Sequence, residues 1–292
     1  MDKRAKLTIL GSGTSQGVPM IGCKCDICCS DDPRDKRLRA SALVEYCGLT
    51  ILIDAGPDFR YQMLRENVCH LDAIILTHNH KDHTGGLDDV RSFNYVEGKP
   101  VNIYCQKYVE DQLKKEYSYA FEETKYPGAP EWRVHNIDNK PFTIISNENE
   151  ERIVWVSGKG YERTKPEVIK PVKKAEIIPI QGYHDAYGKL SVLGFRFGNI
   201  AYLTDMKMIP EEEFEKLKGL DYVTLNCVKN GIHHSHFGLD DAIKICQKIG
   251  AKQAYLTHLS HLLPKYEDFV KNLPEGISVA YDGLVLESPE HQ

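Results

Sequence analysis

The sequence predicts an α/β fold: a single domain of two packed sheets with helices on the outside. Three observations carry that expectation. Short β-prone apolar runs recur through both halves of the chain, amphipathic helical patterns lie between them, and no heptad, tandem repeat or low-complexity linker interrupts the series.

The first half offers four strands, at KLTIL from Lys6, SALVEY from Ser41, LTILIDAG from Leu49 and DAIILTH from Asp72, each bounded by glycine or charged residues. Later strands are expected at FTII from Phe142, RIVWVS from Arg152, AEIIPI from Ala175, VLGFRFG from Val192, IAYLTD from Ile200, DYVTLN from Asp221, QAYLTH from Gln253 and the C-terminal GISVAYDGLVLES. Helices are expected near Phe59 to Asn67, Lys107 to Tyr119, Pro210 to Leu217, Leu239 to Ile249 and Pro264 to Leu273. The stretch 116–174 breaks this rhythm. Rich in charge and proline, with Tyr117, Tyr119, Tyr126 and Trp132 scattered through it, it is expected to be a lid-like insertion within one domain spanning 1–292.

A chain of 292 residues with 41% hydrophobic content can bury a substantial core. Its formal charge of −5 argues against a dedicated nucleic-acid surface, which needs concentrated basic residues to replace condensed counterions, so long nucleic acid is not an expected partner. No apolar run approaches the roughly 18 residues of a membrane span, and Leu7 to Leu10 is too short for a signal-peptide core. The expected setting is therefore cytoplasmic with no membrane partner, and a homodimer is left open. Nine cysteines, an odd number without an export signal, point to reduced thiols or metal ligands rather than disulfides.

Two early motifs compete for attention. Leu7 to Leu10 runs into Gly11 and Gly13, where a dinucleotide-binding loop would sit, but Gln16 stands where the third glycine belongs and Val18-Pro19 blocks a helix start. Next comes Cys23-x-Cys25-x-x-Cys28, a metal-like spacing that lacks a fourth ligand nearby.

LTHNHKDHTGGL, Leu76 to Leu87, carries the most chemistry. An apolar strand ends and at once delivers His78, His80, Asp82 and His83. Imidazole and carboxylate are the donors of a borderline-soft divalent ion, and alternate residues at a strand end can point into one site. Surface histidines in a polar loop are the plainer reading, but three of the twelve histidines within six positions, with an aspartate among them, weigh against it.

His78-x-His80-x-Asp82-His83 resembles the signature of the metallo-β-lactamase superfamily. The resemblance implies an αββα sandwich over nearly the whole chain. It asks for three more ligands and places them on His184, Asp205 and His258, each at a strand end. By that implication His78, His80 and His184 hold one metal, Asp82, His83 and His258 a second, and Asp205 bridges. His261 would then join Cys23, Cys25 and Cys28 in a closed Cys3His site for a structural Zn2+, tying the N-terminal loop to the C-terminal strand. Cys29 leaves the identity of the third thiolate open.

The glycine loop GSGTSQGVP, the cysteine spacing, the histidine motif and LTHLSH together resemble the PhnP-type phosphodiesterases of phosphonate breakdown, cousins of ribonuclease Z that hydrolyse cyclic ribose phosphates and related phosphodiesters. The resemblance implies a hydrolase of a small cyclic phosphodiester or nucleotide, with two divalent ions, Zn2+ or Mn2+, about 3.5 to 4 Å apart that share a water and lower its pKa. Asp82 is then catalytic as well as a ligand. His236, in HHSHFGLDDA, matches a family histidine and is the candidate proton donor, ahead of His233 and His234. Arg37, Arg39 and Lys81 could neutralise phosphate charge, set against ordinary solvated roles. Thioester or lactone hydrolysis on the same fold, or a zinc-binding protein without catalysis, are the alternatives. Ribonuclease Z itself would need a basic arm, which no segment here resembles.

Overall fold

The computed structural model describes residues 4–126, 128–156 and 160–289. Strands β1 (Ala5–Gly11), β2 (Ser41–Tyr46), β3 (Leu49–Ile53), β4 (Ala73–Ile75), β5 (Val101–Cys105) and β6 (Trp132–Asn136) lie side by side in chain order, antiparallel up to β3 and parallel from β3 onward. β7 (Phe142–Ile145) is the edge of a second sheet. After it, β8 (Arg152–Val156) and β9 (Gly160–Thr164) form a separate two-stranded sheet. β10 (Lys174–Tyr183), β11 (Ser191–Phe197), β12 (Ile200–Tyr202), β13 (Tyr222–Asn226), β14 (Gln253–Thr257) and β15 (Ile277–Val279) complete the second sheet, and β16 (Val285–Glu287) returns to pair with β1. From β12 to β15 the strands are parallel.

Alternation along the strands sorts side chains into three apolar layers. Leu7, Ile9, Val44, Ile51, Ile53 and Ile75 meet Ile177, Phe195, Phe197 and Ile200 between the sheets. The intervening residues Leu10, Leu43, Leu52, Ile74 and Leu76 face outward onto helices α1 (Phe59–Arg65), α2 (Lys81–Thr84), α3 (Arg91–Glu97), α4 (Lys107–Glu116) and α5 (Ser118–Phe121), through side chains such as Phe59, Met63, Phe93, Val109 and Leu113. On the far side Leu203, Val223 and Leu225 pack against α6 (Leu239–Ile249) and α7 (Tyr266–Lys271), by way of Ala242, Cys246, Ile249 and Phe269. The result is the expected αββα sandwich. α6 ends at Gly250, whose left-handed conformation (φ 67°) lets the backbone turn into β14.

Some elements differ from the sequence expectation. β5 and β6 were not anticipated: β5 is only five residues long, and β6 carries Arg133 and His135 on a half-exposed edge, so neither shows a long apolar run. The helix expected at Pro210 to Leu217 is a 3-10 helix over Glu211–Leu217. β10 is longer than AEIIPI and continues through Pro179, a position past the last residue paired with β7. The stretch 116–174 does not lie apart as one block. It provides the outer strand of each large sheet, β6 and β7, together with the antiparallel pair β8 and β9. Ser157, at the end of the expected RIVWVS strand, lies outside the described residues.

Candidate metal centre

Parallel strands in both sheets end at the same rim of the sandwich, and the loops beyond them carry the ligand candidates. After β3, Asp54 adopts a left-handed φ of 62° and is fully buried. Its Oδ1 accepts the Thr77 amide at 2.8 Å and its Oδ2 accepts the Thr77 hydroxyl at 2.9 Å, which holds the loop after β4. Because that hydroxyl has given its one hydrogen to Asp54, His78 Nδ1 must donate to Thr77 Oγ1, 2.9 Å away, leaving its Nε2 as a lone pair. His80 then stands in extended conformation just before the single turn of α2, which brings Asp82 and His83 round to the same side. Gly56 makes this approach feasible, since a Cβ there would lie 2.0 Å from the Asp82 carbonyl oxygen.

The second sheet supplies the facing half. His184 Nδ1 donates to the Ser235 carbonyl at 2.8 Å, again freeing Nε2. Asp205 Oδ2 accepts from Thr204 Oγ1 at 2.6 Å and lies 3.1 Å from His83 Nε2, while its Oδ1 lies 3.1 Å from His258 Nε2. Asp82 Oδ2 is 3.2 Å from His83 Nε2 and 3.7 Å from His258 Nε2. Asp205 and His258 are non-glycine residues at positive φ, 58° and 54°. With Asp54 they make three left-handed residues at one rim, the kind of backbone strain that persists where surrounding contacts fix a functional geometry.

These residues form two adjoining groups whose donor atoms lie within 4.8 Å of one another: His78, His80 and His184 in one, Asp82, His83, Asp205 and His258 in the other. Burial and neighbouring imidazoles push His78 well below the ordinary histidine range, and burial lowers His184. Burial would lower His83 too, but Asp205, Asp82 and Asp54 prevail and hold it protonated while no cation competes. His83 and His258 keep Asp82 and Asp205 ionised against the cost of burial. The Nε2 atoms of His78, His83 and His258 are buried without a hydrogen-bond partner among the described residues. The lone pairs on His78 and His184 and the carboxylates of Asp82 and Asp205 converge as the donor set of a divalent cation, which would take the place of the proton on His83.

His236 lies inside this cluster. Its ring stacks on His258 at 4.8 Å and meets His184 edge-on at 4.5 Å, and its Nδ1 is 3.7 Å from Asp205 Oδ1. Burial, then His258, pushes it down to about 2. His236 also lines a cleft of about 210 Å3 between the glycine loop (Thr14, Ser15, Gln16) and the segment with Lys229 and His233. His234 is exposed.

A separate group gathers Cys23, Cys25, Cys28 and His261. His261 Nδ1 is 3.4 Å from both Cys23 Sγ and Cys25 Sγ, and the Cys25 thiol is lowered to about 6, chiefly by His261. Cys28, not Cys29, turns inward: it is buried, its Sγ accepts the Met20 amide at 3.4 Å, and Cys29 is exposed outside the group. Arg37 requires a correction, because it is neither solvated nor directed at substrate. It is buried against Asp35 at 3.2 Å, between the cysteine loop and α7, where Asp35 also accepts the Tyr266 amide. Arg39 pairs with Asp58 at 2.8 Å and Lys81 with Glu116 at 2.7 Å.

Sequence reasoning missed Asp54, Thr77 and the Ser235 carbonyl. A signal existed for Asp54, which follows the apolar strand LTILI just as Asp205 follows IAYLT.

The beta-lactamase superfamily domain model matches residues 50–259. A crystal structure of a new diphosphatase from the PhnP family is 40% identical, with a TM-score of 0.80, covering 98% of this chain and 97% of that one. An octanoyltransferase of Porphyromonas gingivalis is 36% identical over 278 residues, 94% of this chain, but this chain spans only 50% of that relative's length. Ribonuclease Z of Staphylococcus epidermidis is 24% identical over 85% of this chain and 87% of its own. The chain belongs to the metallo-β-lactamase superfamily, whose fold binds divalent metal, and within it to the PhnP family. Among the described residues no helix is long and apolar enough to cross a membrane.

Proposed function

We propose that this chain is a metal-dependent hydrolase of small phosphodiesters, cyclic ribose phosphates or nucleotides among them. The observation that carries the reading is the pair of donor groups linked at Asp205, which lies 3.1 Å from both His83 and His258 of one group and has a donor atom within 4.8 Å of His184 of the other. His78, His80 and His184 would hold one divalent ion and Asp82, His83 and His258 a second, with Asp205 available to both. Cys23, Cys25, Cys28 and His261 hold a structural Zn2+. Divalent ions at the paired site would supply positive charge against phosphoryl oxygens and lower the pKa of water.

The protein's own groups do the rest. Thr77, Asp54 and Ser235 fix the tautomers of His78, His83 and His184, so each presents Nε2 to the centre. The cleft beside His236 takes the leaving part of the substrate; His236, neutral in the empty site, would take up a proton as the anionic substrate arrives beside it and deliver that proton to the departing oxygen. Lys229, on the cleft wall, forms no ion pair among the described residues and is free to meet anionic charge. The diphosphatase relative, aligned over 97% of its length, supports phosphoryl chemistry. The octanoyltransferase name belongs to a chain of which this one matches half.

Metal-loaded protein assayed side by side on bis(4-nitrophenyl) phosphate, a 2′,3′-cyclic nucleotide and an acyl thioester tests the proposal. Hydrolysis of the phosphodiesters in preference to the thioester is the expected result. A protein that cleaves the thioester and leaves both phosphodiesters intact would move the reading to acyl chemistry.

A further inference from the structure

We propose that Asp282 is a positioning residue for the hydrolytic centre, acting on His258 through the glycine loop; this rests on the proposed metal ligation by His258. The Asp282 side chain is 8% exposed and does not touch the centre. Its Oδ1 accepts both the amide and the hydroxyl of Ser12, at 2.9 and 2.8 Å, and its Oδ2 accepts the Leu38 amide at 2.8 Å. Arg65 Nη1, from the end of α1, lies 3.5 Å from the same Oδ2. One carboxylate therefore fixes the glycine loop against the segment leading into β2.

The loop so held acts as a splint between the sheets. Gly13 bridges Arg39 on one side and Leu259 on the other. The Leu259 amide donates to the Ser12 carbonyl at 2.8 Å, and the Thr14 amide donates to the Leu259 carbonyl at 3.1 Å. Leu259 directly follows His258, whose φ of 54° is a conformation that a non-glycine residue leaves unless it is held. Glycine is required at the splint, because a Cβ on Gly13 would lie 2.8 Å from the Arg37 carbonyl oxygen and 2.9 Å from that of Leu38. The chain of contacts runs from Asp282 to Ser12, from Ser12 to Leu259, and so to the strained backbone of His258. An Asp282 side chain that merely added stability would have no special effect on Leu259 or on metal held by its neighbour.

The test compares wild type, Asp282→Asn, the milder Ser12→Ala and a control, Leu113→Ala, whose side chain is buried under α4 in the outer layer. Two readouts are taken: hydrogen exchange of the Leu259 amide in metal-free protein, and Zn2+ affinity of the paired site by chelator competition. Asp282→Asn keeps the volume but sets an amide NH2 against main-chain donors, so Leu259 exchange should accelerate and Zn2+ affinity should fall about 10- to 100-fold. Ser12→Ala should move both in the same direction by less, and so covers the case in which Asp282→Asn does not fold. Leu113→Ala should lower the melting temperature while leaving both readouts near wild type. Unchanged Leu259 exchange and Zn2+ affinity in the Asp282 and Ser12 variants, or an equal loss in the control, would overturn the positioning role. Failure of the paired site to bind Zn2+ in wild type would instead overturn the metal reading, and exchange at Leu259 would still decide whether Asp282 holds the loop.

Discussion

Asp54 Oδ2 and His83 Nδ1 are 2.7 Å apart, both side chains fully buried, and the opposite ring nitrogen of His83 faces Asp205 and Asp82. The contact determines which nitrogen His83 offers to a metal. Asp54→Ala should release the ring, and also Thr77, which Asp54 binds twice. Metal affinity at the paired site should drop about 10- to 100-fold, the usual effect of losing a group that orients a ligand. Chelator competition measures it, and an affinity within twofold of wild type would show that His83 is positioned by other means.

The candidate site was legible in the sequence where its residues sit in a compact motif, and beyond that motif through the resemblance it carries. His78, His80, Asp82 and His83 fall within six positions, and the family resemblance singled out His184, Asp205 and His258 among the residues that follow strands; the structure brings all seven together. What supports them was hidden for a physical reason. A main-chain carbonyl such as that of Ser235 has no sequence signature, and Asp282 reaches Ser12 across 270 positions. Arg37 misled because arginine is seldom fully buried, and only the fold reveals Asp35 enclosed beside it. Two packed sheets with outer helices followed from the recurring strands and the helical patterns between them, and the αββα form from the resemblance. The half-exposed strand β6 escaped because an edge strand need not be apolar.

The cysteine group should behave as a separate, structural site. Cys25→Ser should lose close to one zinc per chain and lower thermal stability, while protein that remains folded keeps turning over substrate. Elemental analysis beside a melting curve reads both, and an unchanged zinc content would remove the structural-site proposal.

His70 gives the chain a pH-dependent stability far from the metal centre. Its Nε2 is 3.3 Å from Asp72 Oδ1 and its Nδ1 is 3.0 Å from Glu97 Oε1, and these carboxylates raise it to about 9. A histidine raised above its unfolded value near 6.5 contributes stability that is fully present below that pH and is lost as pH climbs through about 9. The side chain is 34% exposed, so solvent screening limits the gain to about 1 kcal/mol. His70→Gln should therefore be less stable than wild type at pH 6 and nearly equal at pH 10 in urea titrations. A constant gap across that range would contradict the assignment.

His236→Ala separates proton donation from a purely packing role. A proton donor matters when the leaving alcohol is a poor one, so turnover of a cyclic nucleotide should fall about 100-fold or more while a nitrophenyl diester is affected far less. Equal large losses on both substrates would mean that His236 orients the phosphoryl group or holds metal with His184 and Asp205, whose donor atoms lie within 4.8 Å of its own.

The central claim is that the two donor groups work as one hydrolytic centre, and the direct measurement is turnover of bis(4-nitrophenyl) phosphate as metal-free protein is titrated with Zn2+ or Mn2+, in wild type and in Asp82→Ala. The account predicts no turnover without metal, about three ions per wild-type chain at full activity (two at the paired site and one among the cysteines), and an Asp82→Ala variant that stays folded, binds about one ion fewer and is inactive. Substantial turnover in the metal-free protein, or in Asp82→Ala at its reduced metal content, would contradict it.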